Sequence, residues 1–274
     1  MQLRSRWLLL PLAVVSLSTP ALAGDVVSVS ASGGGVSATL TTIPDADGYA
    51  SSSMIAISGA TTFDGPLPSV DGALVAANGR NLIEVAVRDL SGGGGPEVAV
   101  SSFTGGAHCC YRATVLMAKP AGGYGTWVQT FGSEGYTLQT IHGHVVFASA
   151  DPRFEYAFTS YAASVEPVQL WQLDRSGVFV DRTRRYRSRV LADLPRTRSE
   201  YRHAVARAGT SARGALAGYL AELLLLDRRT KARVVLANAR ASGVLTGRGD
   251  TPARAAPFVR ALRSSLARWG YGRL

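Results

Sequence analysis

Residues 87–110 of the chain read VRDLSGGGGPEVAVSSFTGGAHCC, and this stretch decides the fold that the sequence predicts. The alternation of Val85 and Val87 before the glycines and the apolar residues at 97–100 after them are both typical of strands. Four consecutive glycines followed by Pro96 are turn residues, which interrupt regular structure. The stretch therefore predicts a strand, a glycine-rich loop and a second strand.

Similar strand patterns, each bounded by turn residues, recur on both sides of this stretch as far as about residue 186. The predicted strands are residues 26–30, 36–41, 54–58, 82–88, 97–103, 111–118, 126–131, 136–141, 145–149, 155–161, 168–173 and 178–181. Several of the gaps between them, such as Gly122-Gly123 and Gly143, are short enough for hairpins. Short gaps favour an antiparallel meander over parallel crossovers.

After Leu194 the apolar residues recur at helical spacing. One stripe runs from Ala215 to Leu224, a second segment covers residues 230–241, and a third stripe runs from Phe258 to Trp269. The predicted fold is therefore α+β, with a β-rich domain over residues 24–186 and a basic helical domain over residues 187–274. The β-rich domain is expected to be an antiparallel meander, either propeller-like or sandwich-like.

The first 23 residues have the pattern of a secretion signal peptide. Arg4 and Arg6 precede an apolar run at residues 7–17, and Ala21-Leu22-Ala23 supplies the small residues that a signal peptidase accepts. The apolar run is too short to span a bilayer. We therefore predict cleavage between Ala23 and Gly24 and an exported mature chain, periplasmic or extracellular, without a transmembrane segment.

Charge is divided unevenly along the chain. Residues 24–174 hold 5 basic and 13 acidic side chains, whereas residues 175–274 hold 22 basic and 6 acidic side chains. Three interpretations of the arginines are open: solvated helix faces, an attraction between the two halves within one chain or between chains, and a surface for an anionic envelope component. A nucleic-acid partner is not expected, because the charge is not accompanied by a recognition motif.

One run of arginines is a candidate anion-binding site for phosphate or sulfate. Its members are Arg182, Arg184, Arg185, Arg187 and Arg189. The alternative interpretation is a solvated strand end.

Cys109 and Cys110 are the only cysteines of the chain, and His108 precedes them. Three states are open: a vicinal disulfide, two separate thiols on opposite faces of a strand, or a soft-metal or thiol-reactive site that includes His108. An oxidising compartment favours the disulfide. A vicinal disulfide stiffens a turn and offers an apolar contact, which suits binding or scaffolding better than catalysis.

The stretch at 87–110 resembles the strand–loop–strand unit of FG-GAP and VCBS-type repeat proteins. More specifically, it is similar to a group of exported bacterial proteins that carry Gly-Gly-Ala-His-Cys-Cys after such a strand. The resemblance covers roughly residues 82–186 and extends to the later segments at 154–161, 167–171 and 177–183. It implies propeller-like β-structure and no known activity, since one fold serves many functions.

Related loops bind calcium through an Asp-x-Asp-x-Asp-Gly kind of spacing, because a hard cation needs six or more oxygen ligands. In this chain Asp89 and Ser91 keep two of the donors, Gly93 replaces the next one, and Glu97 lies beyond Pro96. Asp89, Ser91 and Glu97 are therefore the candidate metal ligands, for calcium. The alternative is a glycine-rich turn in which Asp89 accepts hydrogen bonds from backbone amides.

These patterns together predict an exported, non-enzymatic binding or structural protein of the bacterial envelope, with no catalytic residue assigned. No Gly-x-Ser-x-Gly elbow, Walker loop or His-Glu-x-x-His motif appears in the sequence. One alternative is a hydrolase of envelope material in which two of the carboxylates Glu134, Asp151, Glu155 and Glu166 face one groove. The other is a thiol- or metal-responsive protein that uses His108, Cys109 and Cys110.

Overall fold

The structure, a computed structural model, describes residues 26–77, 80–207, 212–246 and 255–274. The predicted signal peptide and its cleavage site between Ala23 and Gly24 lie outside these residues. The chain divides into two compact units. The first unit contains the chain up to Asp89 together with Gly93–Gly105 and Ala113–Val128, and the second contains Leu90–Gly92, Gly106–Arg112 and Gln129–Leu274.

Two antiparallel four-stranded sheets, each with its strands in chain order, account for most of the first unit. The first sheet consists of β1 (Val27–Gly33), β2 (Val36–Pro44), β3 (Ala50–Ser58) and β4 (Phe63–Pro66), and a small ladder follows with β5 (Ala76–Ala77) and β6 (Arg80–Asn81). The second sheet consists of β7 (Glu84–Arg88), β8 (Glu97–Gly106), β9 (Cys109–Ala118) and β10 (Tyr124–Thr130). Buried residues that alternate along these strands form the core, among them Leu40, Ile55 and Val98.

The second unit combines a third antiparallel sheet with helices. Its strands are β11 (Tyr136–Ile141), β12 (His144–Ala150), β13 (Val168–Leu173) and β14 (Phe179–Asp181), and the described helices are α1 (Arg187–Ala206), α2 (Arg213–Leu225), α3 (Arg229–Ala241) and α4 (Ala255–Arg268). These elements confirm the predicted α+β fold. Within the described residues, no helix combines the length and the hydrophobicity that crossing a membrane requires.

Helix α2 lies at the centre of the second unit. Its residues from Gly214 to Leu225 are all buried, so it has no solvent-facing side, although the sequence predicts a single apolar stripe. The reason is that α1, α3, α4 and a short 3-10 turn all pack against it. Leu216, Leu220 and Leu223 of α2 are fully buried in the largest apolar cluster of the unit.

One predicted strand is wrong. Residues 155–161 do not form a strand: residues 155–160 lie between two 3-10 turns, Pro152–Phe154 and Tyr161–Ala163, and Tyr161 begins the second turn. The carboxylate of Asp151 accepts a hydrogen bond from the amide of Arg153 and so caps the first turn. Tyr156 then adopts a left-handed conformation with a φ of 57°, which ends any extended run.

Helix α1 begins at Arg187, the residue at which the predicted helical domain begins. The sequence stripes do not identify this helix, because it buries only Val190, Leu194 and Thr197 and contains Pro195. In the structure the third sheet belongs to the same compact unit as the helices.

Candidate functional site

The Gly-Gly-Ala-His-Cys-Cys stretch forms the tip of the hairpin between β8 and β9, and Cys109 and Cys110 are joined to each other by a disulfide. The structure therefore holds the first of the three predicted states. His108 and Cys109 are exposed at this tip, and Cys110 is half-buried.

Two tyrosines surround His108 within the second unit. The His108 ring stacks on the Tyr161 ring with 4.1 Å between the centroids, and the Tyr156 hydroxyl forms a hydrogen bond with Nδ1 of His108. Tyr156 is 55% exposed, and its left-handed backbone costs on the order of 1 kcal/mol. The sequence gives no sign of this cluster, because both tyrosines lie about fifty residues after His108 in a segment predicted as a strand.

The glycine-rich loop that follows β7 is closed by Asp89. Oδ1 of Asp89 accepts a hydrogen bond from the amide of Gly93, and Oδ2 accepts one from the amide of Gly94, each at 3.0 Å. This geometry is the predicted alternative to a calcium site, while Glu97 is buried at the start of β8. The described ranges contain no group of three or more His, Cys, Asp or Glu side chains that could hold a metal ion. Calcium binding by Asp89, Ser91 and Glu97 stays a prediction.

A cavity of about 620 Å³ in the second unit collects charged side chains, and we call it the carboxylate cavity. Small residues of β12 and of the segment 162–164 line part of it. One face of helix α1 lines another part, because residues three and four apart lie on the same side of a helix. The acidic and basic residues in its lining are Glu134, Glu166, Arg189, Asp193, Arg196, Glu200, His203 and Arg207.

Glu166 is the most unusual of these residues. It is only 9% exposed, and its Oε2 atom is buried without a hydrogen-bond partner. Burial, together with the nearby carboxylates of Glu155, Glu134 and Asp151, raises the pKa of Glu166 to about 8, against the opposing effect of Arg196. The carboxyl is therefore mostly protonated at neutral pH. A buried polar atom left without a partner costs about 1–3 kcal/mol, which makes this atom the candidate contact point of the cavity.

A second buried carboxyl supports the α1 wall of the cavity. Glu222 of α2 is fully buried, and its Oε2 accepts a hydrogen bond of 2.9 Å from the Thr197 hydroxyl. Burial and a hydrogen bond with Asp193 raise the pKa of Glu222 to about 9. Burial also acts to raise the pKa of Asp193, but hydrogen bonds from Arg196 and Glu222 lower it overall. The Glu222 proton is thus held against Asp193, which in turn pairs with Arg196 at 2.7 Å.

Two of the four carboxylates that the sequence offers for hydrolysis line the carboxylate cavity, and the other two have separate partners. Asp151 is fully buried and is bonded to Arg153 and to the Tyr271 hydroxyl. Glu155 accepts hydrogen bonds from the amide and the hydroxyl of Ser133. Only Glu134 and Glu166 line the carboxylate cavity.

The predicted anion site made of five arginines is divided among three places. Arg187 pairs with Asp227 at 2.6 Å, and Arg189 lines the carboxylate cavity. Arg182, Arg184 and Arg185 line a different cavity of about 500 Å³, together with Arg153. We call this second cavity the arginine cavity. The sequence does not indicate the contribution of Arg153, which lies about thirty residues before the arginine run.

The chain is similar in part to a known protein. The chain is 35% identical over 92 residues to a probable thylakoid lumen protein of Synechocystis sp., and the match covers 31% of this chain and 26% of that relative. The chain thus spans about a quarter of the relative's length. No protein-family model matches the chain, and no solved structure matches it.

Proposed function

We propose that this protein is an exported, non-enzymatic binding protein of the bacterial envelope and that the carboxylate cavity is its ligand site. Export is supported by the signal-peptide pattern in residues 1–23. It is also supported by the Synechocystis relative, whose name describes it as a probable thylakoid lumen protein. The observation that carries the binding role is the buried Oε2 of Glu166, which lacks a hydrogen-bond partner in a residue that lines a cavity.

The electrostatics around Glu166 favour a ligand with a positively charged group. Glu155, Glu134 and Asp151 each raise the pKa of Glu166, which means that together they place a negative potential at its carboxyl. A primary ammonium has three donors and no acceptor. It would therefore supply the missing hydrogen bond to Oε2 and compensate the local negative charge at the same time.

This ligand class makes binding depend on pH. An ammonium prefers the ionised carboxylate, so its binding below pH 8 must displace the proton that Glu166 holds. The affinity for an amine should therefore increase with pH, by up to about tenfold per unit, until pH 8, and then level off. A ligand that uses only hydroxyl groups would accept the protonated carboxyl and show the opposite trend.

Isothermal titration calorimetry between pH 6 and pH 9 tests the proposal with ethanolamine as the amine probe and glycerol as the neutral probe. We expect ethanolamine to bind, and Glu166→Gln to weaken its binding by at least about tenfold. Glu84→Gln, which removes an exposed carboxylate of β7, is the matched control and should bind as the native protein does. Equal binding of glycerol, or unchanged binding by Glu166→Gln, would contradict the proposal.

A hydrolase is the second candidate, and the observation in its favour is that Glu134 and Glu166 line the same cavity. A protonated Glu166 suits a general acid, and the exposed Glu134 suits a base or nucleophile. Release of nitrophenol from aryl glycosides tests this activity. Turnover that both Glu166→Gln and Glu134→Gln abolish would identify a hydrolase, whereas amine binding without turnover supports the binding protein.

The likeness to FG-GAP and VCBS-type repeats is also part of the proposal. Its support is local: each of the three larger sheets has four antiparallel strands in chain order, and this is the kind of sheet that forms a propeller blade.

A further inference from the structure

The arginine cavity has four arginines in its lining, all of them in the second unit. Arg153, Arg182, Arg184 and Arg185 all line it. Its walls also include the aromatic side chains of Trp269 and Tyr271, and its one acidic lining residue is Asp181. This ratio of charges distinguishes it from the carboxylate cavity, where acidic and basic side chains alternate.

A 3-10 turn brings two of the four arginines together. The turn spans Thr183–Arg185, with Arg182 at its N-terminal boundary. Side chains three residues apart eclipse each other on a 3-10 helix, and the amide of Arg185 donates a 2.8 Å hydrogen bond to the carbonyl of Arg182. Arg182 and Arg185 therefore lie on the same side of the chain, and both line the arginine cavity.

The other two arginines are held in place by the protein. Arg153 pairs with the buried Asp151 at 2.6 Å and lies over the ring of Trp269. Arg184 donates hydrogen bonds to the carbonyls of Gly270 at 3.1 Å and Tyr271 at 2.5 Å. These carbonyl groups are neutral and orient the Arg184 guanidinium, which also pairs with Asp227 at 3.8 Å, a carboxylate that it shares with Arg187.

The arginines that line this cavity outnumber the acidic side chains in its lining. Oδ1 of Asp181 accepts hydrogen bonds from the amide and hydroxyl of Thr183, and Oδ2 accepts one from Gln169. Across the described parts of the chain, no carboxylate forms an ion pair with Arg182 or Arg185. A concave surface lined with one sign of charge concentrates ions of the opposite sign.

We infer that the arginine cavity binds a phosphate group, either as free phosphate or as the headgroup of an anionic lipid. The planar guanidinium fork matches two phosphate oxygens at once. Arg153 and Arg184 already donate to Asp151 and to backbone carbonyls, so the forks of Arg182 and Arg185 are the ones that would hold the phosphate. The inference goes beyond the proposed function, because it assigns a ligand of opposite charge to a different cavity.

Phosphorus NMR titration of the full chain with inorganic phosphate tests this inference against a matched pair of variants. Arg182→Gln/Arg185→Gln removes two charges from the cavity, and Arg198→Gln/Arg202→Gln removes two exposed charges from α1 outside it. We expect phosphate affinity to fall by at least about tenfold in the first variant and by less than about twofold in the second. Circular dichroism shows whether both variants are folded, and Arg182→Lys/Arg185→Lys provides a milder change if the first is not. Because Lys keeps the charge and lacks the fork, we expect an intermediate affinity from it.

Vesicle flotation distinguishes the two sources of the phosphate group. Phosphatidylcholine vesicles with and without phosphatidylglycerol are compared for the native protein and the same variants. Flotation that needs phosphatidylglycerol and is lost in Arg182→Gln/Arg185→Gln indicates a lipid headgroup, and phosphate binding without flotation indicates the free ion. If neither probe binds, or if both pairs of variants weaken binding equally, general attraction to a basic surface explains the arginines and the inference is wrong. Glu166→Gln should bind phosphate as the native protein does, which separates this outcome from that of the proposed function.

Discussion

Gly218 of helix α2 packs directly against the carbonyl group of Val165, the residue before Glu166. One turn earlier, Gly214 packs against the carbonyl group of Ala163. A Cβ atom at either position would overlap the carbonyl oxygen. The position of Glu166 in the carboxylate cavity therefore depends on two glycines in a buried helix.

Gly218→Ala should destabilise the protein although alanine is the better helix former. The gain in helix propensity is about 1 kcal/mol, whereas a clash with backbone in a packed core costs about 1–3 kcal/mol. We expect a net decrease in the free energy of unfolding, measured by urea denaturation, and weaker ethanolamine binding. Ser264→Ala, at an exposed position of α4, is the control and should change the free energy of unfolding by less than about 0.5 kcal/mol. A more stable Gly218→Ala variant would contradict this expectation, because it would show that the segment before Glu166 shifts to make room for the added Cβ atom.

Glu166 should make the protein less stable as the pH rises from about 4.5 to 8. Its pKa is about 8 in the folded protein against an ordinary value of 4.5, so in this range the folded chain holds a proton that unfolding releases. The free energy of unfolding should then decrease by up to about 1.4 kcal/mol per pH unit from this group. Glu222 acts in the same direction, because its pKa is also raised, to about 9.

Glu166→Gln tests this pH dependence, since glutamine resembles the protonated carboxyl and does not titrate. Urea denaturation at several pH values should show a shallower decrease for the variant than for the native protein, with the two curves furthest apart near pH 8. Glu84→Gln should run parallel to the native protein. A slope that Glu166→Gln leaves unchanged would mean that this carboxyl is ionised in the folded state at neutral pH.

The Tyr271 hydroxyl donates a 2.7 Å hydrogen bond to Oδ2 of Asp151, and Asp151 has no exposed surface. Burial and the neighbouring Asp151 carboxylate raise the pKa of Tyr271 well above its ordinary value, so the donor keeps its proton in alkaline solution. Tyr271→Phe removes the donor and leaves the buried carboxylate with Arg153 alone, which should cost about 1–3 kcal/mol. Tyr161→Phe, which keeps its ring against His108, should cost less than about 0.5 kcal/mol by the same denaturation measurement. If the two variants lower the free energy of unfolding equally, the Asp151 carboxylate does not need the hydrogen bond from Tyr271.

The sequence predicts regular elements well where turn residues mark their ends. The strands β11 and β13 have the predicted bounds, and α3 starts within one residue of its predicted start. Alternation and helical spacing report which side of an element is buried. The spacing of apolar residues does not predict helix α1, because this helix buries only a few of its residues.

The candidate sites are less accessible to sequence reasoning, because each combines residues that lie far apart in the chain. Glu134, Glu166 and Arg196 meet only after the third sheet and α1 have packed. The run of five arginines predicts positive charge correctly, yet it does not predict the partners. Arg184 and Arg187 both pair with Asp227, and Arg184 also binds carbonyl groups of the last residues after α4. The spacing of neighbouring residues predicts a local turn, but it does not predict which distant residue each side chain contacts.

Cys109 and Cys110 should contain no free thiol in protein purified from the exported fraction. They are the only cysteines in the chain, so the disulfide that the structure holds has no competing intramolecular pairing, and an oxidising compartment preserves it. Intact mass should be two hydrogens below that of the reduced chain, with no titratable thiol before reductant and two after it. Cys109→Ser/Cys110→Ser should show no mass change on reduction and no thiol at any stage. Two accessible thiols in the untreated protein, or a metal that a chelator removes, would contradict the disulfide. Either result would indicate a thiol or metal site beside His108.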